Sequence, residues 1–81
     1  MITPAQCRAA RALLDWSQQQ LAEASNVGNA TIRNFEGGKS NPQAATLEVL
    51  QRAFERNGVI FVSDGDTSSI GIGVRIVGGN D

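Results

Sequence analysis

Ser17-Gln18-Gln19-Gln20-Leu21-Ala22, Ser25-Asn26-Val27-Gly28 and Thr31-Ile32-Arg33-Asn34-Phe35-Glu36-Gly37-Gly38-Lys39 encode two short helices and the turn between them. Ser17 and Gln20 have the spacing of a capping box, in which the hydroxyl accepts from the third helical residue and the glutamine side chain reaches back. A helix therefore starts here with Leu21 and Ala22 as its apolar side, and the Ser-Asn-Val-Gly run breaks it after about two turns. A second short helix fits Asn29 to Glu36, because Ile32 and Phe35 share one face and Gly37-Gly38 supplies a stop. Ala22 is small where the two helices must cross closely, and Ile32 with Phe35 fills the wedge between them.

Two short helices joined by a tight turn are the outline of a helix-turn-helix. Upstream, Thr3-Pro4-Ala5-Gln6 announces another helix with a threonine cap, a proline suited to the first helical position and a second capping box. It should run to about Leu14, with Cys7, Ala10 and Leu14 as a narrow core stripe in which Cys7 serves as a small hydrophobe. Downstream of the polar loop Lys39-Ser40-Asn41-Pro42, a helix over roughly Ala44 to Arg56 carries Leu47, Leu50, Ala53 and Phe54 on one side and ends at Asn57-Gly58. Composition then shifts to Val59-Ile60-Phe61-Val62, the turn chemistry of Ser63-Asp64-Gly65-Asp66, and an alternation of Ile70, Ile72, Val74 and Ile76 with Gly71, Gly73 and Arg75, which together predict a β-hairpin. Residues 1–58 thus read as one helical unit, 59–77 as a hairpin of the same domain, and 78–81 as a flexible tail.

Composition narrows the function classes. Eighty-one residues give a core small enough that a partner subunit should help stabilise it, and leave no room for a second domain or a sensor. There is one cysteine and no histidine, so an intrachain disulfide and the usual zinc site are both excluded, along with the commonest general base. The scattered carboxylates form no catalytic constellation, and the chain is expected not to be an enzyme and to need no cofactor, metal or small-molecule substrate. Its longest apolar run, Val59 to Val62, is far short of the roughly 20 residues that cross a bilayer, so a soluble, cytoplasmic protein is expected. The net charge of −1 is low for a nucleic-acid binder, yet the cations Arg8, Arg11, Arg33, Lys39, Arg52 and Arg56 lie before Gly58 and Asp64, Asp66 and Asp81 lie after it.

The composite of Ser17-Gln18, Leu21-Ala22, Val27, Thr31-Ile32, Glu36, Gly38-Lys39, Asn41-Pro42 and Thr46-Leu47 resembles the phage repressor and Cro-like helix-turn-helix family of small bacterial DNA-binding regulators, over about Gln6 to Asn57. The resemblance implies a mainly α fold, a four-helix repressor-like DNA-binding domain with the hairpin appended at its C-terminal end. It places Asn29, Ala30, Arg33 and Asn34 on the base-facing side of the recognition helix, where arginine suits guanine, asparagine suits adenine and alanine can touch a thymine methyl. Gln18, Gln19, Thr31, Lys39, Ser40 and Asn41 become candidates for phosphate contacts. Arg11 and Glu36 match positions that the family joins by a partly buried ion pair, a structural role. Two positions depart from the pattern. Gly28 stands where a capping serine or threonine is common, so the cap is either Gly28 itself or Asn29, and Gly37 replaces a frequent arginine or asparagine.

A lone hairpin is marginal, and this one is apolar on both faces of its first strand. Val59 and Phe61 can cover the helices, which leaves Ile60, Val62, Ile72, Val74 and Ile76 as candidates for pairing two copies into a homodimer that spaces its recognition helices by about 34 Å, one DNA turn. Gly58-Val59-Ile60-Phe61 and Gly73-Val74-Arg75 also resemble segments of small proteobacterial members of the family. A second route to pairing is through the fourth helix, using Phe54 and its neighbours. The expected function is a transcriptional regulator, a repressor or autoregulator, that binds double-stranded DNA at a pseudo-palindromic operator. The alternative is an antitoxin or antiactivator in which the hairpin binds a protein partner.

Overall fold

The computed structural model describes residues 1–62 and 73–76. Four helices, α1 (Pro4–Leu14), α2 (Gln18–Ser25), α3 (Asn29–Glu36) and α4 (Ala44–Arg56), are followed by strands β1 (Val59–Val62) and β2 (Gly73–Ile76). The turn Ser63 to Asp66, Ile70, Ile72 and the tail 78–81 lie outside the described residues.

Each helix boundary has a local cause. Thr3 and Ser17 both close complete capping boxes, with Gln6 and Gln20 as the returning partners. Asp15 ends α1 in the left-handed region at φ 57°, and the Trp16 N–H then reaches back to the Arg11 carbonyl at 2.8 Å. Asn26 takes the same conformation after α2, while the buried Ser25 hydroxyl donates to the Leu21 carbonyl and accepts from the Val27 N–H. That serine therefore stitches the turn between α2 and α3 from inside. At the far end of α3, Gly38 has φ 74°, a conformation that glycine adopts without a Cβ penalty, and lets the Lys39 N–H bond the Asn34 carbonyl at 2.8 Å.

The core is one cluster drawn from all four helices, β1 and the residue Ile2 ahead of α1: Ile2, Cys7, Ala10, Leu21, Ala22, Ile32, Phe35, Leu50, Ala53, Phe54 and Val59. Phe54 is its largest fully buried member, stacked at 5.9 Å on Trp16 and met edge-on by Phe61 at 5.8 Å. Its complete burial leaves no surface for a subunit contact at this residue, so pairing through the fourth helix would fall to exposed neighbours such as Val49. Ile2 and Trp16 are core contributors that the helical stripes did not reveal.

The two strands pair antiparallel, with Val59 opposite Ile76, Ile60 opposite Arg75, Phe61 opposite Val74 and Val62 opposite Gly73. Val59 is buried and Phe61 packs against the core, whereas Ile60 is 37% exposed. In this register Val74 and Ile76 stand opposite the two inward residues of β1, so the outward positions of that strand are Ile60 and Val62. A bond from the buried Gln6 side chain to the Val62 carbonyl at 3.2 Å fastens the start of α1 to the end of β1.

Gly28 is the N-cap of α3, with no side chain to bond the first turn. Its φ of −60° and ψ of 143° suit any residue, and a Cβ there would come no nearer than 4.0 Å to another heavy atom, the Thr31 hydroxyl oxygen. Gly28→Ser should therefore raise stability by about 0.5 to 1 kcal/mol, from the added cap and the lower entropy of the unfolded chain. Urea unfolding followed by circular dichroism measures it, as an increase in midpoint at unchanged slope.

Candidate nucleic-acid interface

The geometry of α2 and α3 is set from behind by one carboxylate. Glu36, the last residue of α3, is only 4% exposed. Arg11 meets it with two donors, Nε to Oε2 and Nη2 to Oε1, both at 2.8 Å. Gln18, the first residue of α2, adds Nε2 to Oε1 at 3.0 Å, and the Cys7 thiol adds Sγ to Oε2 at 3.1 Å. Arg11 also donates to the Trp16 carbonyl at 2.9 Å, and Arg8 donates to the backbone carbonyl of Glu36. The beginning of α2, the end of α3 and the body of α1 are thus pinned to one point.

Burial pushes the Glu36 carboxyl up, but the bonds from Arg11, Gln18 and Cys7, together with the Arg11 charge, outweigh that and hold it below the ordinary carboxylate range. Burial likewise drives the Cys7 thiol up, and Glu36 reinforces the shift, so Cys7 stays a protonated donor with no thiolate character.

In front of this anchor lies the exposed side of α3. Ala30, Thr31, Arg33 and Asn34 are all exposed there and Asn29 is half-buried, while Ile32 and Phe35 face the core. Lys39, Ser40 and Asn41 are exposed in the loop that follows. Of the phosphate candidates on α2, Gln19 is exposed, whereas the Gln18 side chain is half-buried and turned to Glu36. At the N-terminus of α2 the Ser17 hydroxyl takes the Gln20 N–H, which leaves the backbone N–H groups of Gln18 and Gln19 without an intrahelical acceptor.

Among the base-facing candidates the structure shows a linkage that the sequence did not disclose. Asn29 donates to Gln19 at 3.1 Å and accepts from Arg33 at 3.0 Å, and Gln19 donates to Glu23 at 3.3 Å. The spacing of four residues from Asn29 to Arg33 is a readable signal for their contact. The crossing from Gln19 to Asn29 depends on the angle between α2 and α3 and has no such signal.

A short α2 packed across α3, with the exposed side of α3 free of the core, is the arrangement in which a second helix enters the DNA major groove. Residues 8–59 match the helix-turn-helix family, more than half of the chain, and the chain belongs to that family. Over 39 residues it is 44% identical to a protein of Acinetobacter baylyi, the competence pilus inhibition repressor. That alignment covers 48% of this chain and 36% of the relative, so the likeness spans about a third of the relative's length. No helix is long and apolar enough to cross a membrane, and no group of residues that could hold a metal ion is present among the described residues.

Removing Arg11 would strand a buried charge. Arg11→Met should lower stability by about 3 to 5 kcal/mol, most of it the penalty of leaving the Glu36 carboxylate short of its counter-ion. Chemical unfolding at neutral pH tests the magnitude.

The depressed pKa of Glu36 also fixes the sign of the pH dependence. The unfolded chain binds the proton more readily, so the contribution of Glu36 is complete above its unfolded value of about 4.5 and is lost as pH falls through the lower folded value. Melting temperature measured across that acid range should fall steeply in the native protein and less steeply in Glu36→Gln.

Proposed function

We propose that this protein is a DNA-binding transcriptional regulator, a repressor that binds a pseudo-palindromic operator as a homodimer and includes its own promoter among its targets. The observation that carries the reading is the outward row of α3, Ala30, Arg33 and Asn34 with Asn29 at its start, held at a fixed angle by the buried Glu36 anchor. Arginine and asparagine match the donor and acceptor pattern of guanine and adenine in the major groove. Lys39, Ser40, Asn41, Thr31 and Gln19, with the N-terminus of α2, supply phosphate contacts that set position without reading sequence. The family and the repressor name of the Acinetobacter baylyi relative support regulation by occupancy of a site.

The charge distribution makes the binding specific more than strong. Arg11 is consumed by Glu36, Arg8 donates to the Glu36 carbonyl, Arg52 pairs with Glu48 on α4 and Arg56 ends that helix, so Arg33 and Lys39 are the cations carried by α3 and the loop after it. Two such cations in each subunit correspond to a salt dependence no steeper than about −4 in log K against log salt for the dimer. Fluorescence anisotropy with the DNA upstream of the gene and with a scrambled duplex, at several salt concentrations, tests both statements. The native duplex should bind two chains at least ~10³-fold more tightly than the scrambled one, and Arg33→Ala should erase most of that ratio. Equal, weak binding to both would reject an operator at this promoter, and regulation that survives Arg33→Ala would favour action through a protein partner.

Pairing is assigned to the outward side of β1, at Ile60 and Val62, where apolar side chains would otherwise face water. Because Ile60 is exposed in the protomer, Ile60→Asp should leave helicity intact and shift the species seen in analytical ultracentrifugation from dimer to monomer. A dimer that persists unchanged would move the contact elsewhere.

A further inference from the structure

The four side chains that run from Glu23 to Arg33 form a chain of hydrogen bonds whose direction is dictated by its two ends. A carboxylate can only accept and a guanidinium can only donate. With Glu23 at one end, Gln19 must turn Nε2 toward it, which leaves Oε1 facing Asn29; Asn29 must then turn Nδ2 toward Gln19 and Oδ1 toward Arg33. The amide orientations of both Gln19 and Asn29 follow from this rule alone. Each exposed bond is weak in water, but the chain spans from α2 to the middle of α3, and it acts on the longest side chain of the proposed recognition surface.

We infer that Glu23, Gln19 and Asn29 are positioning residues that hold the Arg33 guanidinium in a fixed direction, and that Arg33, not Asn29, is the main determinant of base specificity, reading one guanine in each half-site. The inference rests on the DNA-binding reading above and assigns roles within that site. Asn29 is poorly placed to read adenine by the paired contact of its amide edge, because that edge is strung between Gln19 on one side and Arg33 on the other. Arg33 keeps its remaining N–H donors for the guanine O6 and N7 atoms after giving one to Asn29. Ordering the arginine before it meets DNA removes part of the entropy that binding would otherwise have to supply.

Reversing the chain provides a test that simple loss of a contact would not. In Glu23→Lys the introduced ammonium can only donate, so Gln19 must turn its oxygen to it and its Nε2 toward Asn29. Asn29 then turns its own donors toward Arg33, and the arginine is released. The substitution also adds a positive charge beside the DNA, which should tighten binding to every sequence. Binding-site selection from a duplex library randomised across the half-site, using the full chain, separates these effects.

Relative to the native protein, Glu23→Lys and Gln19→Ala should each lower discrimination at the guanine position that Arg33→Ala abolishes, by about three- to tenfold, with preferences elsewhere unchanged. In the free protein, the heteronuclear NOE of the Arg33 Nε–H group should be high and should fall in both variants while their melting temperatures hold. An Asn29→Ala profile that loses an adenine at a separate position, or Arg33 equally mobile in all three proteins, would overturn the inference. If the NOE changes as expected but the native protein enriches no sequence, the DNA-binding reading fails and the assignment of Arg33 as base reader fails with it.

Discussion

A carboxylate that is almost completely removed from water is tolerated only when every unit of its charge is answered, and in this protein Glu36 is answered four times. Two bonds come from Arg11 on α1, one from the Cys7 thiol on the same helix, and one from Gln18 at the first turn of α2. A hydrophobic pair of similar volume could have filled the same space, and buried ion pairs are weak evidence for stability as such. What the charge brings is direction. A guanidinium bonded to both oxygens of one carboxylate fixes distance and plane, and the amide of Gln18 then ties the beginning of α2 to the end of α3. The apolar wedge of Leu21, Ala22, Ile32 and Phe35 holds the two helices together, and the polar cluster sets how they are turned.

That fixed turn matters because the outer surface has little charge to spare. A protein with an excess of lysine and arginine can bind DNA first and find its register later, whereas a nearly neutral domain must present its few polar groups already aligned. The surface chain from Glu23 through Gln19 and Asn29 to Arg33 is the outward counterpart of the buried cluster. Both use groups that can only accept or only donate to remove orientational freedom from amides. Gln18 and Gln19 are neighbours in sequence with opposite assignments, one turned to the buried carboxylate and one to the recognition helix.

Much of the fold was legible because it is written in local chemistry. The capping boxes at Thr3 and Ser17, the stop at Gly37-Gly38 and the apolar spacing of α4 depend on residues three or four apart, and the elements follow them closely. The family resemblance, carried by fourteen spaced residues from Ser17 to Leu47, led to the same fold class. What was not legible depends on distance between elements. Ile2 and Trp16 belong to no helical stripe and reach the core through the chain's path around α1. The Cys7 thiol looked like a small apolar filler and is also a hydrogen-bond donor to a residue 29 positions away. Gln18 is a phosphate candidate through both its side chain and its backbone N–H, and the bond of that side chain to Glu36 depends on the packed arrangement of three helices. Phe54 shows the limit of periodicity, which names an apolar face without saying whether the protomer or a partner covers it; here the protomer does.

On the proposed reading, the exposed side of α3, with the first turn of α2 and the loop after α3, is the surface that meets DNA. Backbone amide chemical shifts of the isotope-labelled protein, followed by NMR as a duplex carrying the upstream sequence is added, test it most directly. The largest changes should fall on Gln18 to Gln20, Asn29 to Asn34 and Lys39 to Asn41, with the Arg33 side chain among them. Changes confined to β1 and the exposed face of α4, or no change at saturating DNA, would contradict it.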